Sequence, residues 1–431
     1  MLSLVGLIGG LTLLIILTIR GMNLLIAAPL CALIVALCGG LELLTVGEQS
    51  FIHFYSSGFA GFVQSWFLMF LLGSLFGKVM EDTGCAQSVS HFLVAKLGAK
   101  YAALAIVISC AVLTYGGVSL FVVAFSVYPM ALALFREGDL PRRFIPATMA
   151  FGSVTFTMTS AGSPEIQNWI PVKYLGTTHM AAWEVSLVVA VFMALFGYWW
   201  LNKMIRKAVQ NGERFASRDT DPKPRQQRLP HPIKGLLPLI VVLVIAYLFH
   251  DSLKQNALIL ALLAGSICAW IINLNFVHDL NKALGEGTTG ALLAIGNTAA
   301  VVGFGTVAKA SPAFAVAVET MTSIPGNELI GAAIAVSVIA GLTGSASGGQ
   351  AIALPVLAPH YLDAGVDPEQ LHRVVAIASG ALDSLPHNGY VVTTIRAICG
   401  ETHRAAYGPM AALTVVTPLI GLALALAIFI L

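Results

Sequence analysis

Glu165, Asp383 and His387 are ionisable side chains set inside apolar stretches of a chain with only 10% charged residues. Each lies beside a proline, Pro164 for the first and Pro386 for the other two. Hydroxyls and amides gather around them. Thr157, Thr159, Ser160, Ser163, Gln167 and Asn168 surround Glu165, and Ser384 and Asn388 accompany Asp383. Two glycine-rich stretches repeat the theme. LTYGGVS (113–119) offers Thr114, Tyr115, Gly116, Gly117 and Ser119, and LTGSASGGQ (342–350) offers Thr343, Gly344, Ser345, Ser347, Gly348, Gly349 and Gln350. An ionisable group at membrane depth is a functional candidate and a common member of proton relays, and histidine changes charge near neutral pH. Glu165, Asp383 and His387 are therefore the expected carriers of a coupling proton or cation. The hydroxyls, amides and glycine backbone are expected to hold a small organic anion. The bland alternative is close helix packing by small residues, with Glu165 and Asp383 capping half-helices. For Asp383 and His387 both roles stay open.

The elements that must position these residues follow from composition. The chain has 431 residues, 57% of them hydrophobic, with mean hydropathy +0.85. Soluble domains carry about 25% charged residues, so most of this chain faces something other than water. Apolar runs of about 20 residues, enough to cross a bilayer core, are expected at 3–19, 22–45, 59–78, 141–172, 183–201, 235–250, 256–274, 288–305, 370–398 and 407–430. Two further apolar segments, 101–135 and 327–358, are broken near their middles by the glycine-rich stretches. Arms of about a dozen residues span only about 18 Å. These segments are therefore expected to enter and leave on one side as re-entrant hairpins, a geometry tolerated only where broken backbone is buried in protein or lines a wet cavity.

Charge supports this topology. With the N-terminus outside, only Lys173, Lys254, Lys309 and Arg373 of the 23 Lys and Arg residues fall outside, as the cytoplasmic preference of basic residues requires. Nine of the 23 lie in the polar stretch 202–234, read as a cytoplasmic linker that could also meet anionic lipid. Arg20 follows the first apolar run rather than preceding it, so that run is expected to stay as a helix, with both termini outside. No lysine or arginine lies in the four polar breaks, so a site without its own cation is expected.

An internal repeat joins the two halves, 1–201 and 235–431. Thr114 lies 37 residues after Gly77 and Thr343 lies 38 after Gly305; Pro129 and Pro359 follow by 15 and 16 residues. A proline-containing polar loop and a proline-broken span come next in both halves. Paired discontinuous helices in inverted repeats point to a secondary transporter with a midplane site. The expected fold is thus all-α and polytopic, with about ten transmembrane helices plus two hairpins. Exposed carbonyls and half-helix N-termini there suit a cation and a carboxylate. Proton coupling is preferred, with sodium as the alternative.

LTYGGVSLFVVAFSVYP and RRFIPATMAFGSVTFTMTSAGSPEIQN, with GLTGSASGGQAIALPVLAP and DSLPHNG, resemble the gluconate permease (gluconate:proton symporter) family of the ion transporter superfamily. The resemblance covers nearly the whole chain. It implies an elevator-type transporter, dimeric, with the hairpin tips and broken helices as the site, in the cytoplasmic (inner) membrane of a bacterium. Gluconate carriers of that family have a His-Pro-Gly-Pro-rich loop where this chain has Ser163 to Gln167. They have an acidic Asn-Asp-Pro-Gly-like loop at Leu385 to Asn388, and a glutamate near Gly116. The forms here look more like the branch for short hydroxy acids such as 3-hydroxybutyrate. A sodium-coupled di- or tricarboxylate carrier is the alternative.

Other classes find little support. The chain has no His-Glu-x-x-His, and its six cysteines show neither metal nor disulfide spacing. No metal, cofactor, enzyme activity or nucleic-acid partner is expected.

Overall fold

The computed structural model describes residues 2–20, 22–44, 49–98, 101–218, 221, 228–314, 316 and 327–431. Lys100, Lys223 and Arg225 of the basic inventory, and Thr45 at the end of the expected second span, lie outside them.

The described chain is helical, as hydropathy requires. The first half runs α1 (Leu2–Ile19), α2 (Leu24–Gly39), α3 (Phe51–Asp82), α4 (Cys85–Leu97), α5 (Ala102–Tyr115), α6 (Leu120–Glu137), α7 (Ile145–Ala150), α8 (Ile170–Leu175) and α9 (Trp183–Gln210). The second runs α10 (Pro232–Leu253), α11 (Asn256–Ile272), α12 (Leu280–Ala310), α13 (Glu328–Thr343), α14 (Ala346–Asp363), α15 (Pro368–Ala381), α16 (Gly389–Val392), α17 (His403–Ala411) and α18 (Thr417–Ile430). Among the described residues six helical stretches are long and apolar enough to cross a membrane, the last being the continuous run His403–Ile430 that includes α17 and α18. At 1.5 Å per residue the 32 residues of α3 reach about 48 Å, well beyond the expected span 59–78. α4 is an element the hydropathy reading left in a loop. Its apolar face, with Cys85, Ala86 and Val89 buried, packs against α5 and α10.

The long helices α3 and α12 lie against each other. Each carries the leading helix pair of the opposite half: α2 packs on α12, and α11 on α3. That exchange ties the halves into one body. A cluster of Leu7, Leu14, Val35, Ala36, Phe304 and Val307 seals the α1–α2–α12 contact.

Both expected hairpins are present with their breaks where the glycines lie. α5 stops at Tyr115, Gly117 takes a positive φ of 91°, and α6 restarts at Leu120. α13 stops at Thr343, Gly344 takes φ 60°, and α14 restarts at Ala346. The arms are longer than a dozen residues. α6 and α14 each have 18, because Pro129, Pro355 and Pro359 are absorbed inside the helices instead of ending them. α6 is itself one of the six long apolar helices.

The two broken spans are also irregular where the prolines predict. After α7 the chain makes a π-helical turn at Phe151–Thr155, loses helical order through Pro164, and re-forms as Ile166–Asn168 and α8. α15 starts on Pro368, with the Asp367 carboxylate accepting from the N–H groups of Glu369 and Gln370. It ends at Ala381, and Asn388 opens α16 by accepting from the Val391 N–H.

On the linker side, Arg142 lies 2.9 Å from Asp221 and 3.0 Å from Glu401, and Arg218 reaches Glu401 at 2.8 Å. Arg143 meets Glu213 at 2.7 Å. The start of the linker is thereby tied across both broken spans. All six cysteines are free thiols, and four are buried.

Candidate functional site

Each hairpin tip docks on the broken span of its own half. The Tyr115 phenol donates to the Ala161 carbonyl at 2.7 Å, and a Cβ on Gly117 would stand 3.2 Å from the Pro164 ring. In the second half the Asp383 carboxylate accepts from the Ala346 N–H at 2.9 Å, at the first residue of α14. Asn388 Nδ2 donates to that carboxylate and to the Gly344 carbonyl, both at 3.0 Å. A Cβ on Gly344 would come within 2.8 Å of the His387 ring. Asp383 therefore serves as the anchor of the second tip, the capping role that the sequence left open. His387 is buried against the same joint.

The two half-sites then meet. Gln350 Nε2, in α14, donates to the Gln167 carbonyl of the first broken span at 3.0 Å and to Ser379 Oγ of α15 at 3.0 Å. Gly380 faces Thr159, where a Cβ would lie 3.0 Å from the threonine methyl. The first break, the second tip and α15 thus share one buried centre.

Within that centre many candidate side chains are spent on building it. Ser163 Oγ accepts from the Glu165 N–H, and Asn168 Nδ2 donates to the Met158 carbonyl at 2.9 Å. Ser345 caps α14 through the Gly348 N–H, with Ser347 3.4 Å away. Gly349 is buried tightly against Ala340. Ser384 is buried beside Asp383, and its carbonyl accepts from Tyr407. Thr114 is fully buried with no partner for its hydroxyl, while Ser119 is half-buried at the start of α6; neither makes a described contact to the second half. Gly116 packs on Leu239 of α10.

Three groups remain uncommitted. The half-buried Glu165 carboxylate has no hydrogen bond or ion pair among the described residues. Gln167 Oε1 and Gln350 Oε1 are buried and have no hydrogen-bond donor. Buried acceptors of this kind ordinarily find partners, so these oxygens mark places for a donor or a cation.

The expectation of a site without a cation is corrected. Arg373 is fully buried. Its guanidinium donates to the carbonyls of Thr159 (2.7 Å), His179 (3.3 Å) and Ala181 (2.9 and 3.1 Å) and to Asn168 Oδ1 (2.8 Å). It has no carboxylate within ion-pair distance among the described residues. All five donors of the fork are used, so α15 holds the first broken span together while leaving a positive charge uncompensated. The charge count placed Arg373 in an outer loop. The signal for the interior was its place inside the expected span 370–398.

Behind the first tip lies a second space of about 530 Å³, lined by Tyr115, Thr157, Ser160, Trp183 and Leu239 among others. It is mostly apolar. The Tyr115 phenol bonds to the broken span and its ring borders this space, so Tyr115 braces the tip from behind.

The GntP family permease model matches residues 2–278. An uncharacterized transporter of Bacillus subtilis, YxjC, is 36% identical over 92% of both chains. The high-affinity gluconate transporter of Escherichia coli is 28% identical over 35% of this chain and 33% of its own. Among solved structures, the Alcanivorax borkumensis YdaH transporter superposes with TM-score 0.56 at 13% identity, covering 99% of this chain and 98% of its own. Neisseria gonorrhoeae MtrF, described as an antimetabolite efflux pump, superposes with TM-score 0.54 at 15% identity, covering 97% and 94%. At such identities these two share the fold.

Proposed function

This chain belongs to the GntP permease family and is a membrane transporter, and on that premise we propose that it imports a small hydroxy-monocarboxylate together with a proton. The carrying observation is the pairing of charges at the buried centre. Among the described residues, Arg373 supplies one positive charge without a counter-ion, and Glu165 supplies one carboxylate without a partner. One fixed cation suits a substrate with one carboxylate better than a di- or tricarboxylate, which would bring two or three charges into a dry site. The donors of Arg373 are saturated, so it acts through its field. The substrate's own hydroxyls are suited to Gln167 Oε1 and Gln350 Oε1. A 3-hydroxybutyrate-like acid fits this requirement, and the gluconate transporter among the relatives favours the same class.

Glu165 is the proposed proton carrier, since an unpartnered carboxylate at membrane depth is more stable neutral than charged. His387 and Asp383, joined to the second tip, would sense its position. The like order of elements in the two halves supports an inverted repeat. In this reading the hairpins and broken spans move as one body against α3 and α12, in the inner membrane of a bacterium, as a homodimer.

Purified protein in proteoliposomes tests this. Under an inward proton gradient, labelled 3-hydroxybutyrate should accumulate above its outside concentration and be displaced by gluconate-like acids. Uptake that merely equilibrates overturns the coupling claim. A second reading, sodium coupling, is favoured by the two orphaned amide oxygens, which suit a hard cation. Accumulation driven by sodium at equal pH on both sides would select it.

A further inference from the structure

Lys173 lies at the end of the first broken span, in α8, eight residues after Glu165. Its ammonium donates to Ser65 Oγ of α3 at 2.9 Å and stands 5.8 Å from the Trp66 ring and 5.6 Å from the Tyr174 ring. No carboxylate lies within ion-pair distance of it among the described residues, nor of Lys254 nearby in sequence to the α11 start. The space it borders is a crevice of about 470 Å³ between α3, α8 and α11, lined by Gln64, Ser65, Leu68, Gln255, Asn256 and Ile259 as well. The side-chain amides of Gln64, Gln255 and Asn256 hold no protein hydrogen bond among the described residues. Asn256 also opens a 17-residue helix with no side-chain cap, so its first N–H groups carry partial positive charge toward this end.

Lysine and the helix start are both positive, and the neutral amides can add N–H donors. A cation without a counter-ion among the described residues, three free amides and an uncapped helix start converge on one open polar crevice, where Gln64, Lys173 and Asn256 are exposed, beside an otherwise apolar stretch of α3. Packing alone gives no reason for Gln64, Ser65 and Lys173 to meet here. We propose that this crevice is a second, outer anion site that captures a small carboxylate before it enters the buried centre. Lys173 supplies the charge, and the amides of Gln64, Gln255 and Asn256 supply directional donors. Lys173 follows Glu165 by eight residues, through the Ile166–Asn168 turn and the start of α8, so a captured anion is passed along the same broken span. Because Lys173 sits on α8 and Ser65 on α3, the site also spans the boundary across which the proposed motion occurs. The identity of the anion, its passage to the buried centre and the moving boundary rest on the function proposed above; the presence of an anion site does not.

The test reads local potential without requiring transport. Cys38 and Cys268, the two half-buried thiols, are replaced by serine, and Leu68→Cys places a thiol at the crevice. Its modification by a negatively charged methanethiosulfonate (sulfonatoethyl) should outpace that by a positively charged one (trimethylammonioethyl) by about 10-fold or more after correction for a free thiol. Lys173→Gln should erase the preference and Lys173→Arg should keep it. Millimolar 3-hydroxybutyrate should slow the reaction in the parent and leave Lys173→Gln unaffected. Equal rates for the two reagents, or a preference that survives Lys173→Gln, overturns the site. Protection by phosphatidylglycerol with none by free carboxylate overturns it too, by assigning the crevice to a lipid headgroup. A chain that carried some other cargo would still show the rate difference, so failure of the transport proposal is separable.

Discussion

Glu165 and Arg373 show how the same depth treats two charges differently. Among the described residues Glu165 leaves its carboxylate free, whereas Arg373 saturates its guanidinium with five hydrogen bonds to four neutral oxygens. Glu165→Gln keeps shape and amide polarity but removes the titrating proton. Proton-driven accumulation should be lost while counterflow exchange of labelled substrate continues within about 2-fold, since only coupling is removed. Unchanged accumulation would strip Glu165 of its role. Arg373→Lys keeps the charge but has three donors where arginine makes five bonds. Leaving two charge-assisted bonds unmade should cost about 3 kcal/mol, read as a lower unfolding temperature in detergent, together with weaker substrate binding.

At the scale of elements the tips depend on single backbone conformations. Gly344 has φ 60° and no room for a Cβ beside His387, whereas Gly176 ends α8 at φ 67° with open space around it. Alanine at either position pays about 1 kcal/mol for the left-handed conformation. Gly344→Ala must in addition push the second tip off its joint with Asn388 and His387. Uptake should fall at least 10-fold in Gly344→Ala and stay near normal in Gly176→Ala, with Gly344→Ala the less stable of the two. Equal activities would show that the tip joint is not part of transport. The glycines and prolines made both breaks legible in the sequence, because few other residues allow that backbone. The arm lengths were not legible: Pro129, Pro355 and Pro359 look like helix ends by type, yet each is accommodated within a helix.

At the scale of the whole molecule the linker is more than a loop obeying the charge rule. Arg214 and Arg218 pair with Asp139 and Glu401, so two of its basic residues are ion-paired within the protein. Glu401→Gln should weaken two ion pairs, to Arg142 and Arg218, and cost about 2 kcal/mol. Differential scanning of the purified protein would show it. The Glu213 carboxyl, outside the membrane, is held below the usual 4.5 by its hydrogen bonds from Arg143. A depressed folded-state value means its contribution is full above pH 4.5 and is lost as the pH falls through the lower folded value. Amide exchange in the linker start around 211–218 should therefore be flat from pH 7 to 5, after correction for intrinsic exchange rates, and rise only at more acid pH.

The sequence by itself determined the class, the two hairpin breaks and the two broken spans. Hydropathy, glycine and proline act locally, and the bilayer leaves few alternatives. It also named the residues at the centre, since polar groups in apolar helices have few reasons to be there. Only the tertiary structure decided which of them are free. Asp383, Asn388, Asn168 and Ser163 are spent on joints, while Glu165, Gln167 and Gln350 keep unpaired oxygens. Whether a polar atom already has a partner is a question of distances between segments hundreds of residues apart. For the same reason Arg373, counted as a loop charge along the chain, becomes the buried cation once α15 is packed against the first broken span.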